Sequence, residues 1–308
     1  MSDRDGTNAM TSTRPLLIGA LCIILGELCF ASMGVGVRMV AGQLPNEVVV
    51  FFRNVLGLLF LMPWLLRPGA SGLRTQVPML HLLRGVAGVS AMYCFFYALA
   101  HLPLAEAMLL KLTAPLFIPL VALLWLREDV SSKVWLGLGV GFAGVVVILE
   151  PGLRGVSPVA LIGLLGGALA AVAKVTVRRL SRDEPTPRIL FYFALVATAV
   201  SATPMIWAWE TPSAPMLGWL IGLAGCATLG QFLLTTGLSL APAARMGTFG
   251  YFAVVFGAGY GWLIWAEQLS LGFFVGSVLV AAAGVLVSHR AAPGTLLNPE
   301  LAAVRSRT

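Results

Sequence analysis

The sequence predicts an all-α polytopic membrane protein whose ten transmembrane helices form two inverted five-helix repeats. Three observations lead to that fold class: an apolar composition, ten apolar runs of membrane-spanning length, and a weak similarity between the two halves of the chain. Of the 308 residues, 58% are hydrophobic and 11% are charged, whereas soluble domains typically contain about 25% charged residues. The chain has too little polar surface to cover itself in water, which excludes a soluble protein.

The apolar runs have roughly the 17 to 25 residues that a helix needs to cross the hydrocarbon core of a bilayer. Their connections are short and leave no room for a separate soluble domain. The predicted spans are residues 16–41, 46–66, 79–101, 104–126, 133–149, 157–179, 189–209, 216–239, 242–265 and 269–288.

The first span follows a polar tail, residues 1–15, and is too long for the hydrophobic region of a cleaved signal peptide. Met10 is an alternative start of the chain. Along the following spans, the polar and aromatic residues that concern a site are, in order, Glu27, Arg53, Tyr93, Tyr97, Lys111, Lys174, Gln231 and Tyr251.

The distribution of positive charge predicts the orientation, because lysine and arginine collect in cytoplasmic loops. With a cytoplasmic N-terminus, only Arg154 falls in an outer loop. The residues on the cytoplasmic side are then Arg4, Arg14, Arg67, Arg74, Arg127, Lys133, Arg178, Arg179, Arg182, Arg188, Arg290, Arg305 and Arg307. We therefore expect a multi-pass protein of the cell inner membrane with both termini in the cytoplasm. This asymmetry also explains the net charge of +7, and no basic run with interleaved aromatics indicates nucleic acid.

A shift of about 140 residues aligns the two halves of the chain. It places Arg38 on Arg178 and Pro45 on Pro185, and a shift of 139 places Glu128 on Glu267. Five spans per half is an odd number, so the two halves enter the membrane from opposite sides. Inverted repeats of this kind build secondary transporters, with the substrate site near the middle of the membrane. The predicted units are a cytoplasmic tail (1–15), two repeats (16–149 and 157–288) and a second cytoplasmic tail (289–308).

The stretch "LPLAEAMLLKLTAPLFIPLVALLWLREDVSSKVWLGLGVGFAGVVVI" resembles the EamA-type repeat of the drug/metabolite transporter superfamily. "PNEVVVFFRN" is similar to the start of that family's second span, with Arg53 at its arginine. The marks of the repeat are Pro103, Ala105, Ala107, Pro115, Glu128, Gly137, Gly141 and Gly144. The resemblance covers about residues 16–288 and implies ten helices in two inverted repeats around a central cavity. Members carry amino acids, nucleotide sugars, vitamins, metallophores and drugs, and most bacterial members are exporters.

Enzyme motifs find no support in the sequence. "GVGFAG", residues 139–144, matches the dinucleotide fingerprint, but it lies within a span and lacks the strand that this fingerprint requires. We interpret it as a helix-packing surface of small residues. Cys22, Cys29, Cys94 and Cys226 lie in apolar runs without metal-ligand spacing. We expect no enzymatic activity, no cofactor and no metal site.

Charges within the spans are the strongest functional signal, because each costs at least about 3 kcal/mol to insert. Glu27, Arg53 and Lys111 lie deep in spans one, two and four, and Lys174 lies about one turn before Arg178. Two interpretations are open: an internal ion pair that fixes helix packing, or residues that line a cavity.

The repeat favours the cavity. Glu27 aligns with Gly167, Arg53 with Phe193 and Lys111 with Gly250. The scaffold is repeated and the charges are not, which suits a substrate whose two ends differ.

Other charges near span ends are interpreted as interfacial. Arg38, Arg84, Arg178 and Arg245 can extend their side chains to the membrane surface. Glu106 is placed at the outer end of span four. Glu128 and Glu267 end matching spans on opposite sides, and we assign them anchoring or gating contacts.

The function that these features predict is secondary transport, with export of a small anionic or zwitterionic metabolite as the leading hypothesis. An amino acid or an opine-type metallophore would fit. Arg53 and Lys111 would bind carboxylates, and Glu27 would bind an amine or carry a coupling proton. Lys174, Tyr93, Tyr97, Gln231 and Tyr251 complete the candidate substrate-binding residues.

The alternative is an importer of a vitamin or nucleoside-like solute on the same scaffold, with Tyr93 and Tyr97 stacking on a ring. The expected partners are a small-molecule substrate and the lipid bilayer. Proton coupling and a homodimer are left open, and so are the substrate's identity and the direction of transport.

Overall fold

The protein is described by a computed structural model at residues 6–65, 74–126, 132–149, 157–180, 183–240, 249–250 and 252–290. These residues form helices joined by short turns, and none of them lies in a strand. The predicted all-α class is therefore confirmed for the described part of the chain.

The first half of the chain contains six α-helices and one π-helical turn. They are α1 (Gly6–Val40), α2 (Asn46–Leu65), α3 (Pro78–His101), α4 (Leu104–Lys111), α5 (Ala114–Val121), the π-helical turn Ala122–Leu126, and α6 (Ser132–Leu149).

The second half contains six more α-helices among its described residues. They are α7 (Pro158–Leu180), α8 (Thr186–Ala202), the single turn α9 (Met205–Ala208), α10 (Ala214–Leu240), α11 (Phe252–Trp265) and α12 (Leu271–Arg290).

Several helices of the described chain are suited to a bilayer. Six segments are long and apolar enough to cross one: Leu17–Val40, Asn46–Pro63, Pro78–His101, Leu104–Trp125, Pro158–Val177 and Ala214–Leu234. Four shorter apolar helices accompany them: Trp135–Val147, Arg188–Ala202, Phe252–Trp265 and Leu271–Ala283. Large apolar side chains such as Leu124 and Ile206 are more than four-fifths exposed, which is favourable in lipid.

The predicted fourth span is not one continuous helix. It is interrupted at Leu112 and Thr113, directly after Lys111. The cause lies in Pro115, because a proline has no N–H to donate to the carbonyl four residues earlier, here that of Lys111. At the break, the backbone N–H and Oγ1 of Thr113 both donate to the carbonyl of Leu110, at 3.1 and 2.6 Å.

The predicted seventh span also differs from the structure. Its helix α8 ends at Ala202, and Thr203 and Pro204 form a turn before α9. The cause is again a proline, which ends the hydrogen-bond ladder of α8. Of the predicted ninth span, residues 242–248 and Tyr251 lie outside the described residues.

The helices of each half pack against helices of the other half, in corresponding pairs. α1 packs against α10, and α7 packs correspondingly against α3. In the same way, the contact of α2 with α10 corresponds to that of α8 with α3, and the contact of α4 with α7 corresponds to that of α11 with α1. α2 also packs against α8, and α6 against α12, so these two contacts join one half to the other. Each half is therefore packed mainly through its partner half.

Glycines allow the closest of these contacts. A Cβ on Gly26 would lie 3.2 Å from the carbonyl oxygen of Gly230, where α1 meets α10. A Cβ on Gly144 would lie 2.9 Å from the carbonyl oxygen of Gly276, where α6 meets α12. Gly144 belongs to "GVGFAG", so the interpretation of that motif as a packing surface is confirmed.

Candidate substrate site

Glu27 and Lys111 form an ion pair between α1 and α4. Glu27 is 5% exposed, and its Oε2 lies 3.6 Å from Nζ of Lys111. Both atoms are buried, and neither has a hydrogen-bond partner within the described part of the chain. A buried pair needs good geometry and further hydrogen bonds to offset its desolvation, so this one has unused capacity to bind polar groups.

Two phenylalanines surround the ammonium group of Lys111. Its Nζ lies 4.2 Å from the ring centroid of Phe30 and 5.6 Å from that of Phe95. Both distances fall within the range of a cation–π interaction. The sequence analysis did not identify either ring. A signal for Phe30 existed, since it follows Glu27 by three residues and so shares its helix face.

The helix break places Lys111 at the C-terminus of α4. A helix C-terminus carries partial negative charge and stabilises a cation in its last turn. Broken helices place such termini at the substrate sites of secondary transporters. The proline that interrupts the span therefore also accounts for the position of the lysine.

Lys174, on α7, belongs to the same cluster. Its charge interacts with those of Lys111, Glu27 and Arg84. Its side chain is exposed, although α7 packs against α3, α4 and α5. The helix that carries Lys174 thus contacts both the helix of Arg84 (α3) and the helix of Lys111 (α4).

Arg53 and Arg84 extend the cluster toward α8. Arg53, on α2, is 9% exposed and donates from Nη1 to Oδ1 of Asn54 at 2.9 Å. Arg84, on α3, has its guanidinium carbon 4.1 Å from the ring centroid of Phe193 and interacts electrostatically with Arg53. The sequence analysis placed Arg84 at the membrane surface; in the structure it packs against α8, and its Nε is buried without a hydrogen-bond partner.

Three of the four other predicted site residues have surroundings of their own, and the fourth, Tyr251, lies outside the described residues. The ring of Tyr97 packs on that of His101, with centroids 4.2 Å apart, at the end of α3. The hydroxyl of Tyr93 is buried without a partner, and Gln231 is half-buried on α10. A Cβ on Gly250, the neighbour of Tyr251, would lie 3.9 Å from Oε1 of Glu27.

One network of polar contacts lies at the C-terminal end of α1. Arg38 forms an ion pair with Glu267, and its guanidinium lies 4.3 Å from the ring centroid of Trp265. Oε2 of Glu267 accepts a hydrogen bond from the backbone N–H of Leu104 at 3.0 Å. Glu267 therefore joins α1, α4 and the connection that follows α11, as expected of an anchoring residue.

A second network lies at the N-terminal end of α3. Glu184, in the connection between α7 and α8, accepts hydrogen bonds from Thr75 and Arg188. His81 Nε2 lies 3.8 Å from its Oε1. Burial alone would raise the pKa of the Glu184 carboxyl, but those hydrogen bonds and the charges of Arg188 and His81 outweigh it and hold the pKa below its usual value.

A cavity of about 220 Å³ lies apart from the charged cluster, between α1, α10 and α11. Its polar side chains include Ser32 and Tyr260, whose hydroxyls hydrogen-bond to each other at 2.9 Å. No charged side chain lines it. Because a carboxylate requires a cationic partner, the candidate site is assigned to the charged cluster instead.

Buried charges beside a broken helix, inside an apolar all-helical chain, are typical of a membrane transport protein. The chain belongs to the EamA-like transporter family, whose sequence profile matches residues 17–150 and 157–289. This confirms the resemblance found in the sequence. The protein is therefore a multi-pass membrane transporter.

Relatives include both exporters and uptake transporters. The chain is 36% identical over 274 residues to "Pseudopaline exporter CntI" of Pseudomonas aeruginosa (strain UCBPP-PA14), covering 88% of this chain and 96% of that protein. It is 27% identical over 279 residues to "Riboflavin transporter" of Brucella anthropi, covering 88% and 96%. It is 28% identical over 247 residues to "S-adenosylmethionine uptake transporter" of Rickettsia felis, covering 80% and 84%.

A solved structure has the same fold. The chain aligns with a protein titled "Crystal structure of protein" with a TM-score of 0.61 and 22% identity, over 92% of this chain and 98% of that one. At this identity the similarity concerns the fold alone.

Proposed function

We propose that this protein exports a small anionic or zwitterionic metabolite, of the amino acid or opine-type metallophore class, across the cytoplasmic membrane. The observation that carries the proposal is the Glu27–Lys111 pair, whose facing atoms Oε2 and Nζ are buried without a hydrogen-bond partner among the described residues. The 36% identical relative, named as an exporter of pseudopaline, supports export as the direction.

The balance of charge supports an anionic cargo. Arg84 interacts electrostatically with Arg53, and Lys174 with Lys111, Glu27 and Arg84. Among the described residues of this cluster, four cations and one carboxylate leave a positive excess that a bound carboxylate would neutralise. In this proposal Lys111 binds a carboxylate of the substrate and Glu27 binds its amine.

The exchange of packing between the halves supports two inverted five-helix repeats with ten membrane-spanning helices. Six of these are the long apolar segments, and the four shorter apolar helices are the other candidates. The repeats would move relative to each other and open the cluster to either side of the membrane in turn. The orientation proposed is the one that the positive charges predict, with both termini in the cytoplasm.

Proton coupling would use Glu27. A proton and the amine of a zwitterionic substrate would compete for Glu27, which links the two fluxes. We propose no enzymatic step and no cofactor for this transport.

Uptake of a ring-containing solute is the alternative that the sequence left open, and one relative is named as an S-adenosylmethionine uptake transporter. It would use Tyr93 and Tyr97 as a stacking pair. The ring of Tyr97 already packs on His101, so no observation on this chain favours that role.

The test is a comparison of metabolites inside and outside cells of a strain that lacks the protein. The strain is complemented with wild type, with Lys111→Ala, or with Lys133→Ala as a matched lysine control at the start of α6. We expect an anionic or zwitterionic solute to accumulate inside the deletion strain and to be released by wild type and Lys133→Ala only. Starvation for an external solute in place of accumulation would support uptake, and full rescue by Lys111→Ala would remove Lys111 from the site.

A further inference from the structure

The two arginines of the cluster lack a counter-charge among the described residues. The side-chain hydrogen bond of Arg53 is to Asn54, a neutral amide. Arg84 stacks on Phe193, which engages the face of its guanidinium but not the N–H groups along its edge. Neither arginine forms an ion pair with a carboxylate of the described chain.

The surroundings of the arginines are fixed by hydrogen bonds. Asn54 Nδ2 donates to Oγ of Ser201 at 3.3 Å, and Ser201 donates in turn to the carbonyl of Ala197 at 2.6 Å. Asn54 and Ser201 are both almost fully buried. Asn54 is therefore held by α8 while its Oδ1 orients the guanidinium of Arg53, as expected of a preorganised binding group.

Both arginines lie against the same part of α8: Arg84 stacks on Phe193, and Asn54, the partner of Arg53, donates to the carbonyl of Ala197 one turn further along. Two neighbouring guanidinium groups repel each other, and neither can release its proton in a protein. An anion between them removes that repulsion. The planar fork of an arginine matches a carboxylate in two parallel hydrogen bonds. One face of the Arg84 guanidinium stacks on Phe193, and one N–H of Arg53 donates to Asn54. The remaining N–H groups along the edges of the two guanidinium groups are suited to such an anion.

Lys174 connects this pair to the rest of the site. Its helix α7 packs against both α3, which carries Arg84, and α4, which carries Lys111, and its charge interacts with those of Lys111, Glu27 and Arg84. The cluster thus has one end with both signs of charge, at Glu27 and Lys111, and one end with positive charge alone, at Arg53 and Arg84.

We propose that Arg53 and Arg84 form a second carboxylate subsite, so that the transported metabolite is an amino acid derivative with at least one further carboxylate remote from its amine. This inference rests on the proposed function and narrows its substrate class. The amine and near carboxylate bind at Glu27 and Lys111, the remote carboxylate binds between the arginines, and Lys174 lines the space that joins them. A solute with a single carboxylate would leave the arginines without an anion and bind weakly.

The test compares two isosteric probes that differ by one remote charge. The first is N-(1,3-dicarboxypropyl)alanine, which has three carboxylates and a secondary amine. The second is the same molecule with its side-chain carboxylate converted to a primary amide. Binding of each is measured by calorimetry on the full-length protein in lipid nanodiscs, for wild type, Arg84→Gln, Lys111→Gln and the control Arg179→Gln. Arg179 is a surface arginine on α7 that pairs with Asp183.

We expect wild type and Arg179→Gln to bind the acid at least about tenfold more tightly than the amide, the usual effect of losing a charged hydrogen bond. Arg84→Gln should abolish that preference by weakening the acid alone. Lys111→Gln should weaken both probes. Arg84→Lys, which keeps the charge but loses the fork, should retain part of the preference, and Arg53→Gln provides the same comparison where Arg84→Gln does not fold.

The outcomes separate the subsite from the proposed function. Equal binding of acid and amide by wild type, or equal weakening of both by Arg84→Gln, would overturn the subsite and leave an exporter of smaller zwitterions standing. Binding of neither probe by wild type would overturn the proposed substrate class and the subsite with it.

Discussion

Lys111 is held by three kinds of contact, and none of them is a hydrogen bond. It has an opposite charge at 3.6 Å, the face of Phe30 at 4.2 Å and the C-terminus of its own helix. Such contacts stabilise an ammonium without occupying its three donors. A substrate carboxylate can therefore bind Lys111 without first displacing a hydrogen-bonded partner.

Neutralising both members of the pair distinguishes their structural role from their role in transport. Glu27→Gln alone leaves a buried ammonium without its counter-charge and should lower the melting temperature, as breaking a buried pair does. The double variant Glu27→Gln with Lys111→Gln removes both charges and should recover most of that loss, yet should not transport. The measurements are thermal unfolding and efflux from proteoliposomes on the same preparations. Transport by the stable double variant would show that the pair only holds α1 to α4.

At this scale the sequence identified the charges well and their neighbours poorly. Glu27, Arg53 and Lys111 stood out because a deep charge is costly in any apolar span, and the structure pairs Glu27 with Lys111. Arg84 was misplaced because its depth was counted from the nearest span end, whereas the packing of α3 against α8 decides what surrounds it. Phe30 and Phe95 could not be distinguished from the many other aromatic residues of apolar helices.

Among the elements, the break between α4 and α5 determines where Lys111 lies. Pro115 withholds the N–H that would bond the carbonyl of Lys111 in a continuous helix. The sequence placed Pro115 in span four, but the predicted span ran through it, since membrane helices often tolerate proline. The site of interruption therefore came from the structure alone.

Restoring that N–H should extend α4 into α5. We expect Pro115→Ala to keep or raise the melting temperature, because it adds a backbone hydrogen bond, and to reduce efflux by shifting Lys111 relative to Glu27. Pro63→Ala is the control, since Pro63 also lies within a helix, near the exposed end of α2. Equal efflux by Pro115→Ala and wild type in proteoliposomes would mean that the break does not position the lysine.

The connection between α7 and α8 should respond to acid through Glu184. Its pKa is lower in the folded protein than the usual value of about 4.3 for a free glutamate. Its contribution to stability is therefore complete above that usual value and is lost as the pH falls through the lower folded value. Below about pH 4.3 the melting temperature of wild type should fall toward that of Glu184→Gln. The melting temperature of the variant also decreases in acid, because its other carboxyls are protonated, and that decrease is the reference. A constant difference between the two proteins down to pH 2 would contradict this assignment.

For the whole molecule, the two polar networks lie at opposite ends of the helix bundle. Thr75 and His81 mark the start of α3, and Leu104 follows its end. A helix of 24 residues is about 36 Å long. The Glu184 network and the Glu267 network are thus about a membrane thickness apart, with the charged cluster between them. In an alternating-access cycle each would hold its own end closed.

The exchange of helix packing between the halves was predictable in part. Five spans per half and a faint repeat indicated two related units, but the partners of each helix, such as α10 for α1, could not be deduced. Small residues at many positions allow many close packings, and Gly26 and Gly230 are two of many glycines in the chain. Which of them meet is decided by the assembled bundle.

Two exposed residues at equivalent positions of the repeat test its inversion directly. Gln43 follows α1 and Asp183 follows α7, and a shift of 140 residues superposes them. Inverted repeats place equivalent loops on opposite sides of the membrane, and the orientation predicted from the positive charges would place Asp183 in the cytoplasm. In a cysteine-free background, a membrane-impermeant thiol reagent should label Gln43→Cys in intact cells, and should label Asp183→Cys only after the cells are permeabilised. Labelling of both variants in intact cells would contradict inverted repeats. Labelling of Asp183→Cys alone would agree with inverted repeats but reverse the proposed orientation, and the Glu184 network would then lie at the outer face.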